Sequence, residues 1–276
     1  MRLVSELDIQ PALVTKLLVS FLKEEVGGAG MAQAVVGLSG GVDSAVTAAL
    51  CAQAFAPANV LCVLMPYRTS NPASEAHARL VATKLGAPVR RVDITMMAEA
   101  YFAEQGVTDA GRRGNVLARC RMVVLYDLSV EWKGLVIGTS NKTELLLGYS
   151  TLYGDSAHAV NPLGDLYKHQ VYQLARHLDL PREVIEKAPS ADLVAGQTDE
   201  GDLGFTYAEA DRLLRRMVDL RHDEAELRTA GFAPELVRRV AQRIVANQFK
   251  RLPPVIAKLS RRTISHDFRY LRDWHA

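Results

Sequence analysis

Between Ser39 and Ser44 the chain reads SGGVDS, directly after the apolar run AVVGL at positions 34–38. Two hydroxyls, two glycines and one carboxylate stand where a buried strand runs out and an Ala-rich helix begins. A loop that opens a helix offers unpaired backbone N–H groups and the positive end of the helix dipole. Gly40 and Gly41 let a ligand approach the backbone closely. Ser39 and Ser44 add hydroxyl donors. Together they favour a phosphate or pyrophosphate. Asp43 opposes that reading, because a carboxylate repels phosphates unless a divalent cation lies between them. Mg²⁺ prefers one or two carboxylates completed by phosphate oxygens. The stretch Gly37, Leu38, Ser39, Gly40, Gly41, Val42, Asp43, Ser44 therefore reads as a pyrophosphate cradle with a metal ligand built in. The competing reading is a simple helix cap after a glycine turn.

Such a loop needs a scaffold that holds it at a strand end. Apolar runs at 34–38, 60–65, 89–94 and 135–138 read as strands. Helical segments at 44–56, 73–85 and 115–132 alternate with them, and an amphipathic segment at 7–26 precedes them. This alternation predicts an α/β fold, a doubly wound parallel sheet with helices on both faces. In such sheets ligands bind beyond the carboxyl ends of the strands. The cradle ends the first strand and Gly138-Thr139-Ser140 ends the fourth, so both face one crevice. From about Pro181 the chain turns to helical segments, and Gly196–Gly204 is a polar, glycine-punctuated candidate lid. One domain is expected over 1–276, with an N-terminal helix over about 1–30 and a helical C-terminal extension over about 205–276.

Bulk properties narrow the function classes. With 33 Lys+Arg against 31 Asp+Glu the net charge is only +2, so no general field for nucleic acid exists. The three cysteines, Cys51, Cys62 and Cys120, show neither a disulfide framework nor zinc-ligand spacing. The N-terminus has no apolar signal region, and no run is long enough to span a membrane. A cytoplasmic setting without membrane or nucleic-acid partners is expected.

Distant stretches add a resemblance. SGGxDS resembles the pyrophosphate loop of the N-type ATP pyrophosphatases. NVLARCRM at 115–122, GTSNKTELLLGYSTLYGDSA at 138–157 and NPLGDLYKHQVYQLARHL at 161–178 resemble NAD synthetase motifs. So do KAPSADL…GQTDEGDLG over 187–204 and NQFKRLPP…DFRYLRDW over 247–274. The resemblance covers about residues 30–274, keeps the family's motif order, and implies an adenine-nucleotide α-hydrolase-like, Rossmann-like fold. It implies ATP-dependent amidation of deamido-NAD through an acyl-adenylate, with ATP as substrate and Mg²⁺ as cofactor.

Residue by residue, it implies that Asp43 and Glu144 hold Mg²⁺, and that Lys168 and Ser190 reach ATP phosphates. Thr139 would lie beside the ATP nucleoside. Arg119, Lys250 and the positions of Leu152, Ala159 and Phe249 would face deamido-NAD, and Arg251 belongs to the same C-terminal pair as Lys250. Taken alone, Glu144 and Lys168 also read as ordinary solvated charges, and Arg121 as a salt-bridge partner. Asp155, in Tyr-Gly-Asp, is a candidate base that would bind ammonium and take its proton, and Lys168 is the second candidate catalytic residue.

The match departs from short, ammonia-using members at Leu152, Ser156, Ala159 and Phe249, which leaves a related acceptor acid open. Only about 30 residues precede the loop, too few for a glutamine amidase domain, so free ammonia or a separate donor is expected. The resemblance also implies a homodimer with the site near the interface. The alternatives are another N-type ATP pyrophosphatase, adenylating a different carboxylate or a tRNA base, and a non-catalytic nucleotide binder.

Overall fold

The chain is described by a computed structural model over residues 6–189 and 199–264. The apolar runs form four parallel strands: β1 (Ala34–Gly37), β2 (Val60–Leu64), β3 (Val89–Arg91) and β4 (Leu135–Ile137), in the order β3-β2-β1-β4. Ala34 pairs with Val60 on one side and Leu135 on the other, which makes β1 central. Strand order reverses between β1 and β4, the position where a doubly wound sheet opens a crevice.

Strand side chains alternate between two cores. Ala34 and Val36 of β1 and Val60, Cys62 and Leu64 of β2 meet one set of helices. Those are α1 (Pro11–Gly28), α2 (Val42–Phe55) and α3 (Pro72–Leu85), joined from later in the chain by Val171 and Leu174. Val35, Leu61 and Val63 point the other way, against α4 (Thr95–Gln105) and α5 (Ala110–Trp132). The expected doubly wound sheet with helices on both faces is present.

Several boundaries differ from the sequence expectation for local reasons. The first helix starts at Pro11, the position where a missing N–H costs nothing. Leu7 lies ahead of it in a different core. The third strand stops at Arg91 because Asp93 accepts the Thr95 N–H at 2.9 Å and starts α4, a helix whose weak periodicity concealed it. The 115–132 helix reaches back to Ala110, where Asp109 caps it through the Arg112 N–H at 2.7 Å. Helix α2 begins at Val42 rather than Ser44, which puts Asp43 inside its first turn.

After β4 come α6 (Lys142–Leu147), α7 (Lys168–His177) and α8 (Arg182–Ile185). The C-terminal extension contains α9 (Asp199–Leu203), α10 (Tyr207–Leu214), a π turn over Arg215–Asp219, α11 (Glu224–Thr229), α12 (Pro234–Ala246) and a short 3₁₀ turn over Gln248–Arg251. Leu203, Leu213, Leu214, Leu227 and Val240 form its own core, closed by Leu147 and Tyr167. The extension thus packs on α6 and α7.

Candidate active site

The loop between β1 and α2 is held by its own hydroxyls. Ser44 Oγ accepts the Ser39 N–H at 3.2 Å and donates to the Gly41 carbonyl at 3.0 Å. The two serine hydroxyls lie 3.1 Å apart, and Ser39 Oγ accepts the Gly41 N–H at 3.3 Å. Ser44 is buried and shapes the loop from below, whereas Ser39 is exposed. Gly40 sits at φ +76°, and a Cβ there would lie 2.2 Å from the Ser74 carbonyl oxygen. Both the dihedral and the close approach of α3 require glycine.

Across the crevice, β4 ends at Ile137 and leads through Thr139 to Asn141, the cap of α6. Asn141 and Glu144 form a reciprocal capping box: Asn141 Oδ1 accepts the Glu144 N–H at 3.0 Å, and Glu144 Oε2 accepts the Asn141 N–H at 3.2 Å. Asn141 is fully buried, and its Nδ2 donates to Asp43 Oδ1 at 2.9 Å. One residue thereby fixes both carboxylates, Asp43 through its side chain and Glu144 through its backbone N–H.

Lys168 opens α7, and its Nζ lies 2.6 Å from Asp43 Oδ2 and 3.2 Å from Glu144 Oε1. The residue is almost entirely buried and its ammonium also faces the Tyr207 ring at 4.9 Å. Burial by itself opposes a charged lysine, but Asp43 and Glu144 outweigh it and hold the ammonium protonated well above the ordinary lysine range. One ammonium serves two carboxylates. Burial, with the Asp43 charge acting in the same direction, pushes Glu144 up to about 7 in spite of Lys168.

These groups line a cavity of about 820 Å³ that runs from the loop to Asp155 and Lys250. Gly37, Leu38, Ser39, Gly41, Val42, Asp43, Ser44, Thr139, Glu144 and Lys168 all contribute to its wall. Asp155 opens onto the cavity and accepts the Thr151 N–H at 2.7 Å. Asp155 remains exposed to solvent at this end of the cavity, and the partial desolvation by the surrounding wall raises its carboxyl above the usual carboxylate range. Lys250 Nζ donates to the Gly148 and Ser150 carbonyls at 2.7 and 2.6 Å. Burial lowers its ammonium pKa, with Asp155 acting in the opposite sense.

The acceptor-side residues are placed differently from those of the ATP side. Arg119, Leu152, Ala159 and Phe249 lie outside the cavity lining; the Arg119 guanidinium is exposed and donates to the Leu152 carbonyl at 3.2 Å. Arg121, two residues along the helix, does line the cavity and donates to the Met65 carbonyl at 3.1 Å. Arg251 is taken up by the Leu145 and Leu146 carbonyls at 3.0 and 2.9 Å, so it caps α6. Ser190 and the first part of the candidate lid, 196–198, lie outside the described residues.

Sequence reasoning missed Asn141, whose N-x-x-E spacing is the capping-box signature. It also missed His158, which lines the cavity; its ring lies 2.5 Å from where a Cβ on Gly138 would stand. Burial lowers the His158 pKa, which favours the neutral imidazole.

Carboxylates beside a phosphate-shaped loop suit Mg²⁺ in their chemistry: two hard oxygen donors, with the remaining ligands left to phosphate and water. Among the described residues no helix is long and apolar enough to cross a membrane.

Comparison with known proteins agrees with this geometry. The family model described as NAD synthase matches residues 14–254. The NH(3)-dependent NAD(+) synthetase of Trichlorobacter lovleyi is 57% identical over 98% of this chain and 99% of that protein. The enzyme of the same name from Chlorobium phaeobacteroides (strain BS1) is 53% identical over 97% of both. Among solved structures, the NMN synthetase of Francisella tularensis superposes with a TM-score of 0.81 at 31% identity, covering 91% of this chain and all of that one. The NH3-dependent NAD synthetase of Campylobacter jejuni, solved with a nitrate ion, gives 0.78 at 35% identity with the same coverage. A family match across most of the chain, near-complete relatives at more than half identity and a crevice built around the expected loop lead to one assignment: the chain belongs to the NAD synthase family.

Proposed function

We propose that this protein is an ammonia-dependent NAD synthetase that binds ATP with Mg²⁺ at the Asp43–Glu144–Lys168 cluster. The observation that carries the residue assignment is the convergence of two carboxylates and one buried ammonium beside the β1 loop. The reaction is deamido-NAD + ATP + NH₃ → NAD + AMP + pyrophosphate. The pyridine carboxylate attacks the α-phosphorus of ATP, the bond to the β-phosphate oxygen breaks, and pyrophosphate leaves. Ammonia then attacks the acyl carbon of the adenylate, the carbonyl–oxygen bond breaks, and AMP leaves.

The first step crowds anions, so alignment and charge neutralisation carry most of its catalysis. The β1 loop presents its amides and Ser39 to the pyrophosphate side. Asp43 and Glu144 would hold Mg²⁺, which when bound would supply neutralisation of the triphosphate charge. Lys168 supplies a second positive charge to the phosphates. Thr139 stands beside the nucleoside, and Ser190 belongs to the phosphate contacts by motif. In the second step Asp155 holds ammonium and accepts its proton, and Lys250 carries the opposite charge on the same wall.

Arg119, Leu152, Ala159 and Phe249 form the deamido-NAD side, which a second copy of the chain completes. Support for a homodimer is the exposed stripe Val123, Tyr126 and Val130 on α5, the helix that also carries Arg119. A cytoplasmic location fits substrates of this kind.

The test is a substrate panel with ATP, Mg²⁺ and ammonium. Equal release of AMP and pyrophosphate with NAD formation is expected from deamido-NAD. No turnover with deamido-NAD overturns the proposal. A second reading changes only the acceptor: the Francisella structure is named an NMN synthetase. Preferential turnover of nicotinate mononucleotide in the same panel would select it.

A further inference from the structure

We propose that Asp211, in the C-terminal extension, is a positioning residue that holds Lys168 and Glu144 in register through Thr143. The inference rests on the ATP-side roles given to Lys168 and Glu144. Asp211 and Thr143 are both fully buried, and neither lines the cavity.

The bonding forms a closed set. Asp211 Oδ1 accepts the Thr143 hydroxyl at 2.5 Å, and Asp211 Oδ2 accepts the His169 backbone N–H at 2.8 Å. Thr143 Oγ1 in turn accepts the Lys168 backbone N–H at 3.1 Å. The first two amides of α7 therefore end on one threonine–aspartate pair. Amides at a helix start have no partner within the helix, and a carboxylate there is favoured by the helix dipole. Thr143 is also the residue before Glu144. A single carboxylate thus joins the turn that carries Glu144 to the turn that carries Lys168.

Helix α10 meets the Lys168 ammonium directly and its backbone through Thr143. Tyr207 and Asp211 are four residues apart and share one helix face. The Tyr207 ring stands 4.9 Å from the Lys168 ammonium, while Asp211 accepts the backbone N–H of the next residue, His169, and reaches the Lys168 N–H only through the Thr143 hydroxyl. Around them Ala210, Leu213 and Leu214 root α10 in the extension's core. Burying a carboxylate is costly, and an apolar residue would fill this space at lower cost. The two hydrogen bonds that Asp211 accepts offset part of that cost, and the geometry they impose on the two charged side chains is what an apolar residue would not give. Asp211 and Thr143 are accordingly part of the support of the ATP site without lining the cavity.

The decisive comparison is Thr143→Val, which keeps the shape and removes the hydroxyl, against Thr143→Ser, which keeps the hydroxyl. ATP binding with Mg²⁺ is measured by calorimetry on folded protein, a readout that does not depend on which acid is the acceptor. Thr143→Val removes both the bond given to Asp211 and the bond taken from the Lys168 N–H, and should weaken ATP roughly tenfold or more, the scale of leaving buried hydrogen-bonding groups unpaired. Thr143→Ser should bind ATP as the wild type does. In steady state the KM for ATP should rise in Thr143→Val while the KM for the acceptor acid stays unchanged. Asp211→Asn should reproduce the ATP defect. ATP binding by Thr143→Val equal to wild type overturns the inference, and so does an equal loss in Thr143→Ser. Wild-type turnover of some other acid would overturn the acceptor assignment and leave these binding results standing.

Discussion

The Lys168 ammonium lies 2.6 Å from the Asp43 carboxylate, although 125 residues separate the two in the chain. Lys168 is thus the resident cation of the cluster to which the proposed function assigns the ATP phosphates. Without ATP it neutralises the carboxylates. On the proposed function, the same ammonium would become available to phosphate oxygens once Mg²⁺ and ATP were bound.

Lys168→Met should therefore separate two effects. Turnover should fall by roughly 10²–10³ in kcat/KM, the scale of losing a preorganised charge in a protected site. Mg²⁺ binding in the absence of ATP should strengthen, because Asp43 and Glu144 lose their competing cation. Steady-state kinetics and calorimetry read the two independently. A variant with wild-type activity would remove Lys168 from the reaction.

Glu144 makes stability depend on pH. Its folded carboxyl stands at about 7, above an ordinary value of 4.5. The folded state therefore holds this proton more tightly than the unfolded chain. Its contribution is fully present below about 4.5 and is lost as pH rises through about 7. Glu144→Gln cannot titrate and should remove that slope, a difference on the order of 1–3 kcal/mol between mildly acid and mildly alkaline pH. Denaturant unfolding of the ATP-free protein at several pH values checks this. Parallel stability curves for wild type and variant would contradict it.

The β1 loop was legible in the sequence because all its parts are local. A strand, a tight glycine turn and a helix start lie within a dozen residues, and the charge conflict at Asp43 points to a cation. Glu144 was legible through its motif. The contact between Lys168 and Asp43 was not, because strand order and the crossover to α7 decide it. The Thr143–Asp211 pair is equally remote, joining α6 to a helix of the extension. The helix carrying Arg119 and Arg121 was readable, yet its rotation against the sheet determines that Arg121 lines the cavity while Arg119 faces out. Periodicity cannot supply that rotation when both faces of a helix mix polar and apolar residues.

Asp155 should matter most when ammonia is scarce. Near neutral pH ammonium dominates, and the nucleophile must lose a proton before it attacks. A carboxylate raised by its surroundings is better matched to that task than an ordinary one. Asp155→Asn should lower turnover about 10²-fold at limiting ammonium and flatten the rise of rate with pH. Rate measured against ammonium concentration at several pH values is the check. If saturating ammonia restored wild-type rates at every pH, the base role would be wrong.

The stripe on α5 gives the last prediction. Val123, Tyr126 and Val130 recur at helical spacing with 51%, 40% and 79% of their surface exposed. Arg119 lies one turn before Val123 on the same helix, and its guanidinium sits by the Leu152 carbonyl. A second copy docked on this stripe would bury the apolar side chains and wall in Arg119, while the ATP cluster stays within one chain. Charged substitutions should then act unequally on the two substrates. Val123→Glu combined with Val130→Glu should give a folded monomer by light scattering. Its ATP binding should remain near wild type, and its KM for deamido-NAD should rise roughly tenfold or more, the loss of about one good contact to a charged group. A variant that stays dimeric would move the interface elsewhere, and a monomeric wild type would refute the dimer.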